Sequence, residues 1–344
     1  MAKTITVTII GLDRTGSSVA LALRRCNRDR RAPQHFDVRG ADPRPGILET
    51  AKRAKICDRI ERNLARAARE RDIVVLALPL PEQGQAWQAL ADSLQPGAVV
   101  LDMAQLKAPA SRLAQEYLPA EAHLVQATPV VNARYLFDGL DDADHAAEDL
   151  FDDGNMLLMP APDCSRAAVE LASDFSTLLG ATPHFMDALE HDILSAATVD
   201  LPALLGVASF HSLAHSPGWN DLQRLTNPPF GRLTHQLFDR HPDDLRDQWL
   251  HNREPLLRWL DGLLDTLQQA RAALAEGDRD ALEALVTGAE EEYSAWINRR
   301  SNNRWDRDER KSDLPSPSGM LMSGLMGDFL TRRMRGDNHN EEER

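Results

Sequence analysis

The sequence predicts an α/β fold, a doubly wound parallel sheet, followed by an all-α C-terminal domain. Three observations predict it. The chain opens on an alternating, β-branched run, TITVTII at 4–10, that ends in a glycine turn. Strand-like apolar runs then alternate with helical segments over the first 130 residues, the pattern of a sheet whose crossovers are helices. Beyond about residue 160 almost only helical periodicity remains.

The elements follow in order. After the glycine turn, SSVALALRRCNR is a helix with small residues on its packing side. FDVRGA, 36–41, is the second strand and ends at Asp42-Pro43. Residues 47–69 are Arg/Ala-rich and read as helix. DIVVLALP, 72–79, is continuously apolar, as a strand buried on both faces must be. PEQGQAWQALADSL, PGAVVLDMA and APASRLAQEYL give helix, strand and helix. Between Leu245 and Trp296 the leucine spacing fits two long helices separated by a turn at Gly277-Asp278. The expected organisation is residues 1–160 as the α/β domain and 161–305 as a helical substrate and dimerisation domain. Residues 306–344 are a linker (SDLPSPSG) with a Met-rich amphipathic stretch, MLMSGLMGDFLTRRM, suited to docking on the protein's own dimer or, less readily, on an external partner.

Composition narrows the function. The 344 residues carry 39 Lys and Arg against 53 Asp and Glu, a net of −14, which argues against nucleic-acid binding. No run approaches 18 consecutive apolar residues, so no membrane span is expected, and MAKTITVTIIG reads as a first strand rather than a signal peptide. Cys26, Cys57 and Cys164 match no zinc spacing and suit a reducing cytoplasm. The charge is uneven: residues 1–70 carry +8 and the remainder −22. The acidic stretch Asp138, Asp141, Asp142, Asp144, Glu148, Asp149, Asp152, Asp153 has no EF-hand spacing and reads as a solvated loop and helix face, with no metal. Arg24, Arg25, Arg28, Arg30 and Arg31 suit the C-terminal end of the first helix.

The turn Gly11-Leu12-Asp13-Arg14-Thr15-Gly16 lies between strand and helix, where a dinucleotide fold holds its phosphates. Gly11 permits the tight turn and Gly16 the close approach of helix and strand. Asp13 stands where a second glycine normally keeps side-chain atoms away from the diphosphate, and Arg14 beside it is placed to compensate the charge. Asp42 ends the second strand, where an acid takes the ribose hydroxyls, although it also suits a turn before Pro43. Arg44 leaves a 2′-phosphate open, so the cofactor is NAD or NADP. The candidate cofactor residues are Gly11, Asp13, Arg14, Gly16, Asp42, Arg44 and Pro79.

With these segments in place the chain resembles the prephenate/arogenate dehydrogenase family over roughly residues 4–300. The resemblance rests on IIGLDRTGSSVALALR, GADPRP, RDIVVLALPL, VVLDMAQLKAP, QATPVV, LLGATPHFMDALEHDILSAATVDLPALLG, GWNDLQRL and WLHNREPLLRWLD in this order. It implies an N-terminal Rossmann domain, a helical dimerisation domain, and oxidation of prephenate or arogenate by NAD(P) on the way to tyrosine. The family's DxxSxK serine is Gln105 here, between Asp102 and Lys107. Its HP-motif histidine is Thr128, before Pro129, and its SHLPH motif reads Val199-Asp200-Leu201-Pro202-Ala203. Arg224 matches the arginine that grips a substrate carboxylate, and His191-Asp192 is retained. Threonine is no base at neutral pH, whereas a positioned base contributes about 10²–10⁴-fold. Asp200 is therefore the candidate base, with Thr128 and Gln105 around the reacting carbon. His123, His184, His191, His211 and His215 read as ordinary surface or core histidines. The resemblance implies an oxidoreductase with a diverged site acting on a small carboxylated alcohol, or a non-catalytic member that binds a metabolite or a protein partner.

Overall fold

The computed structural model describes residues 3–29, 32–138 and 142–304. Arg30, Arg31, Asp141 and the Met-rich stretch lie outside them. The described chain forms two compact units that divide between Ala188 and Leu189.

The first unit runs β1 (Lys3–Ile10), α1 (Arg14–Cys26), β2 (Gln34–Ala41), α2 (Pro45–Arg53), β3 (Arg59–Glu61), α3 (Leu64–Ala68), β4 (Ile73–Leu76) and α4 (Leu80–Ala91). It continues β5 (Val99–Asp102), α5 (Lys107–Tyr117), β6 (His123–Val130), β7 (Asn155–Pro160), α6 (Arg166–Leu178) and β8 (Thr182–Phe185). The strands form one sheet in the order β3-β2-β1-β4-β5-β6-β7-β8, parallel throughout except for the β6–β7 pair. The doubly wound sheet is as expected. Ile5, Val7, Ile9, Ile73, Val75, Val99 and Leu101 pack one of its faces. Val74, Leu76, Val100, Leu124 and Trp87 pack the other, so helices cover both.

Two expectations need correction. Residues 47–69 are not one helix: α2 stops at Arg53, Lys55 takes a positive φ, and β3 intervenes. Asn63 then starts α3 by accepting from the Arg66 amide at 2.8 Å, a cap signal visible in the sequence. The sheet also outruns residue 160, because β8 pairs with β7 from Asn155↔Thr182 to Leu158↔Phe185. The helical pattern around it, together with the shortness of β8, hides that strand in the sequence.

The charge asymmetry resolves into a seam within the first unit. Arg14 pairs with Asp138 at 2.6 Å, Arg25 with Asp152 at 2.7 Å, Arg28 with Glu148 at 2.7 Å and Arg53 with Asp144 at 3.4 Å. Much of the acidic stretch is therefore ion-paired with the basic helices rather than merely solvated. Single exposed pairs contribute at most about 1 kcal/mol each.

The second unit is helical: α7 (Ala188–Ser195), a π turn (Ala196–Asp200), α8 (Leu201–Ala214), α9 (Trp219–Leu222), α10 (Pro228–Thr234), α11 (Gln236–Asp239), α12 (Pro242–His251), α13 (Arg253–Glu276) and α14 (Arg279–Ser301). The two long helices part where expected. Gly277 ends α13 with φ +66° and Asp278 caps α14 through the Ala281 amide at 3.0 Å. The run Ala188–Ala214 is 27 residues, long and apolar enough by length and composition to cross a membrane. Asp192 and Asp200, both buried, interrupt the run, and it does not overturn the expectation that no segment spans a membrane.

Candidate functional site

The chain order of the strands reverses between β1 and β4, and in such sheets ligands bind at the carboxyl ends of the strands at this switch point. The glycine turn sits there. Gly11 has φ +99°, and its amide donates to Ala41 O at 2.9 Å, tying the turn to the end of β2. A Cβ on Gly11 would lie 2.2 Å from Ala77 O, just after β4. A Cβ on Gly16 would lie 1.9 Å from Gly11 O, so helix and turn meet at a distance only glycine allows. Pro79, half-buried, is the N-cap residue of α4 on the same edge.

Asp13 is the N-cap residue of α1, yet its side chain makes no cap bond. It accepts instead from the Arg44 guanidinium at 2.8 Å. Arg44 also donates to both oxygens of Asp42, through Nε at 2.9 Å and a terminal nitrogen at 2.8 Å. Asp42, 1% exposed, accepts two backbone amides as well, Leu12 N and Arg44 N, each at 2.8 Å. Burial raises the Asp13 pKa and Arg44 pulls it back, while Asp42 and Asp142 add to the rise. Arg14 does not compensate Asp13: it is bidentate on Asp138, 2.6 Å at each contact, with its guanidinium 5.2 Å above the Tyr135 ring. The compensating cation is Arg44, 31 residues from Asp13 in sequence and so missed by reading neighbours.

These residues fit a dinucleotide. The turn is a glycine cradle that a Cβ would fill, and the one intrusive carboxylate is held off the α1 amides by a cation.

Gln105 and Thr128 lie farther along the same edge, after β5 and near the end of β6. Both are half-buried. Lys107 links them. Its ammonium, fully buried, donates to Ala104 O and, at 2.9 Å, to Ala127 O, the carbonyls immediately before Gln105 and Thr128. Asp102 accepts from Ala104 N at 2.8 Å, and its other oxygen has no hydrogen-bond partner among the described residues. Burial pushes its carboxyl up to about 6, against the pull of Lys107 and of the Ala104 amide.

Asp200 and Arg224 belong to the helical unit. Asp200 closes the π turn and is fully buried, which raises its pKa against its two amide donors: Asn252 at 2.9 Å, and Gln248. A carboxylate so enclosed joins the π turn to α12 and α13. Arg224 is exposed on a 3₁₀ turn, Gln223–Leu225. The histidines read as ordinary have local partners: His123 meets Ser165 at 3.1 Å, His184 meets Asn155 at 3.1 Å, and His191 meets Asp192 at 3.0 Å. His215 lies on the carbonyl of His211 at 2.7 Å. Among the described residues no cluster of three or more His, Cys, Asp or Glu forms a metal site.

A family model described as prephenate dehydrogenase, nucleotide-binding domain, matches residues 19–184, beginning just past the glycine turn. A cyclohexadienyl dehydrogenase from Zymomonas mobilis is 24% identical over 282 residues, covering 80% of this chain and 90% of the relative. Prephenate dehydrogenase from Aquifex aeolicus, solved with hydroxyphenyl propionate and NAD+, aligns with a TM-score of 0.69 at 19% identity, covering 85% of this chain and 98% of that one. Synechocystis arogenate dehydrogenase aligns with a TM-score of 0.63 at 19% identity, covering 85% and 100%. The sheet and the family match agree: residues 19–184 are similar to the nucleotide-binding domain of the prephenate dehydrogenase family, on a fold that the Aquifex and Synechocystis enzymes share.

Proposed function

We propose that this protein is an NAD(P)-dependent oxidoreductase of the prephenate/arogenate type with a diverged active site, taking hydride from a small carboxylated alcohol. The observation that carries the reading is the capture of Asp13 by Arg44, which leaves the glycine turn able to receive a diphosphate. NAD or NADP would supply the hydride acceptor. Gly11, Gly16 and the N-terminus of α1 would hold its diphosphate, Asp42 and Arg44 would border the adenosine, and Pro79 would line the same edge. Gln105 would orient the substrate hydroxyl beside Thr128, and the exposed Arg224 would take a carboxylate. The carboxylate ligand in the Aquifex structure supports that substrate class.

The helical unit supports a homodimer. Trp259, Leu267 and Leu274 on α13 and Val286 on α14 are exposed, and only 28% of the apolar window in α7–α8 is buried within the chain. A cytoplasmic biosynthetic enzyme fits this reading. A second reading, a non-catalytic member that binds a metabolite or partner, is favoured by two observations: a threonine, Thr128, stands where the resemblance places the base, and Asp200 is enclosed.

Titration of NAD, NADP and their reduced forms by tryptophan fluorescence, followed by turnover of prephenate and arogenate, tests both. Binding with turnover upholds the enzyme, and binding without turnover of either favours the second reading. Failure to bind any of the four at millimolar concentration removes the nucleotide site.

A further inference from the structure

We propose that the Asp13–Arg44 ion pair stands in for the missing second glycine of the phosphate turn, with Arg44 as the positioning residue that makes the turn competent for a dinucleotide. The inference rests on the reading of this edge as an NAD(P) site and deepens it.

Asp13 brings two obstacles to a diphosphate: its bulk at the turn, and a negative charge at the positive end of α1. An aspartate at an N-cap position normally accepts from the first-turn amides and would then occupy the place of the phosphate. Here the carboxylate makes no such bond and meets Arg44 at 2.8 Å. One contact thus moves the group aside and cancels its charge.

Arg44 is itself held in place. Its Nε and the same terminal nitrogen that reaches Asp13 are fixed on the two oxygens of Asp42. Asp42 is held in turn by Leu12 N, the amide beside Asp13. The path Leu12–Asp42–Arg44–Asp13 closes a ring that joins the turn after β1 to the turn after β2. A lone surface ion pair would pay side-chain entropy to hold this geometry, whereas here the guanidinium is anchored before the pair forms. The neighbouring cation, Arg14, is committed to Asp138 and does not substitute. Without Arg44, the Asp13 and Asp42 carboxylates would confront each other and the incoming diphosphate.

The test is a mutant cycle on the full-length protein, with NADH and NADPH affinities read by fluorescence and the fold checked by thermal melting. Arg44→Ala should weaken nucleotide binding about tenfold or more, since one uncompensated charge then faces the diphosphate. Asp13→Gly should bind at least as well as the wild type. The double variant Asp13→Gly/Arg44→Ala should regain the affinity of Asp13→Gly to within about threefold, and Arg44→Lys should rescue in part. A folded Arg44→Ala protein that binds like the wild type overturns the proposal. So does a folded double variant as weak as Arg44→Ala, which would place the role of Arg44 at Asp42 or at the adenosine. Wild-type protein that binds neither nucleotide fails differently, by overturning the site reading on which the proposal stands.

Discussion

The ammonium of Lys107 lies 2.9 Å from the carbonyl oxygen of Ala127 and so fixes the backbone immediately before Thr128. The same ammonium holds Ala104, before Gln105, and its countercharge is the buried Asp102. Removing one partner of a buried pair strands the other and costs about 3–5 kcal/mol. Lys107→Met should therefore lower unfolding stability by that order in urea titrations. A loss below about 1 kcal/mol would show that the ammonium is not structurally required.

Asp102 gives a signed pH dependence. Its carboxyl is raised to about 6 in the folded chain, above its ordinary value of 3.8. Between these values the folded state binds the proton that the unfolded state has lost, so stability falls as pH rises from about 4 to about 6 and levels off above. The stability difference between wild type and Asp102→Asn should decline across that window and be flat from about pH 7 to 8. A difference that is constant from pH 4 to 8 would contradict the burial assigned to this carboxyl.

Asp200 should behave as a packing residue. Arg240 donates to the side-chain oxygen of Gln248, so that amide cannot turn over to suit an asparagine without losing a bond. Asp200→Asn and Asp200→Ala should each cost about 1–3 kcal/mol in denaturant unfolding. On any substrate the protein turns over, kcat per folded molecule and its pH profile should stay unchanged. A shifted acid limb in Asp200→Asn would return this residue to the chemistry.

The sheet and its glycine turn were legible because period-two runs and a glycine between strand and helix are local signals, as in TITVTII followed by Gly11. What escaped depends on partners far away in the chain. Nothing near Asp13 announces Arg44, and nothing in VVLDMAQLKAP announces that Lys107 reaches across to β6. Asp200 looked like a base because its position was read from a family motif, while its enclosure comes from Gln248 and Asn252, about 50 residues on. β8 was lost because four residues, TPHF, between helical stretches carry too little pattern to stand alone.

Gly16 offers the sharpest check on the turn itself. A methyl there would sit 1.9 Å from Gly11 O, and the atom in the way is backbone, so neither side can rotate aside. Relief requires α1 to move off β1 or the Gly11 carbonyl to turn, and Gly11 is itself confined by Ala77 O. Gly16→Ala should thus cost about 1–3 kcal/mol or more, as overpacking does, and should also weaken NADH binding by displacing the amides of α1. Gly262→Ala is the control, inside α13 with open space around the new methyl. There the helix gains up to about 1 kcal/mol from the better helix former, with nucleotide affinity unchanged. Equal stability effects at the two glycines in urea unfolding would refute the close approach of turn and helix on which the nucleotide site depends.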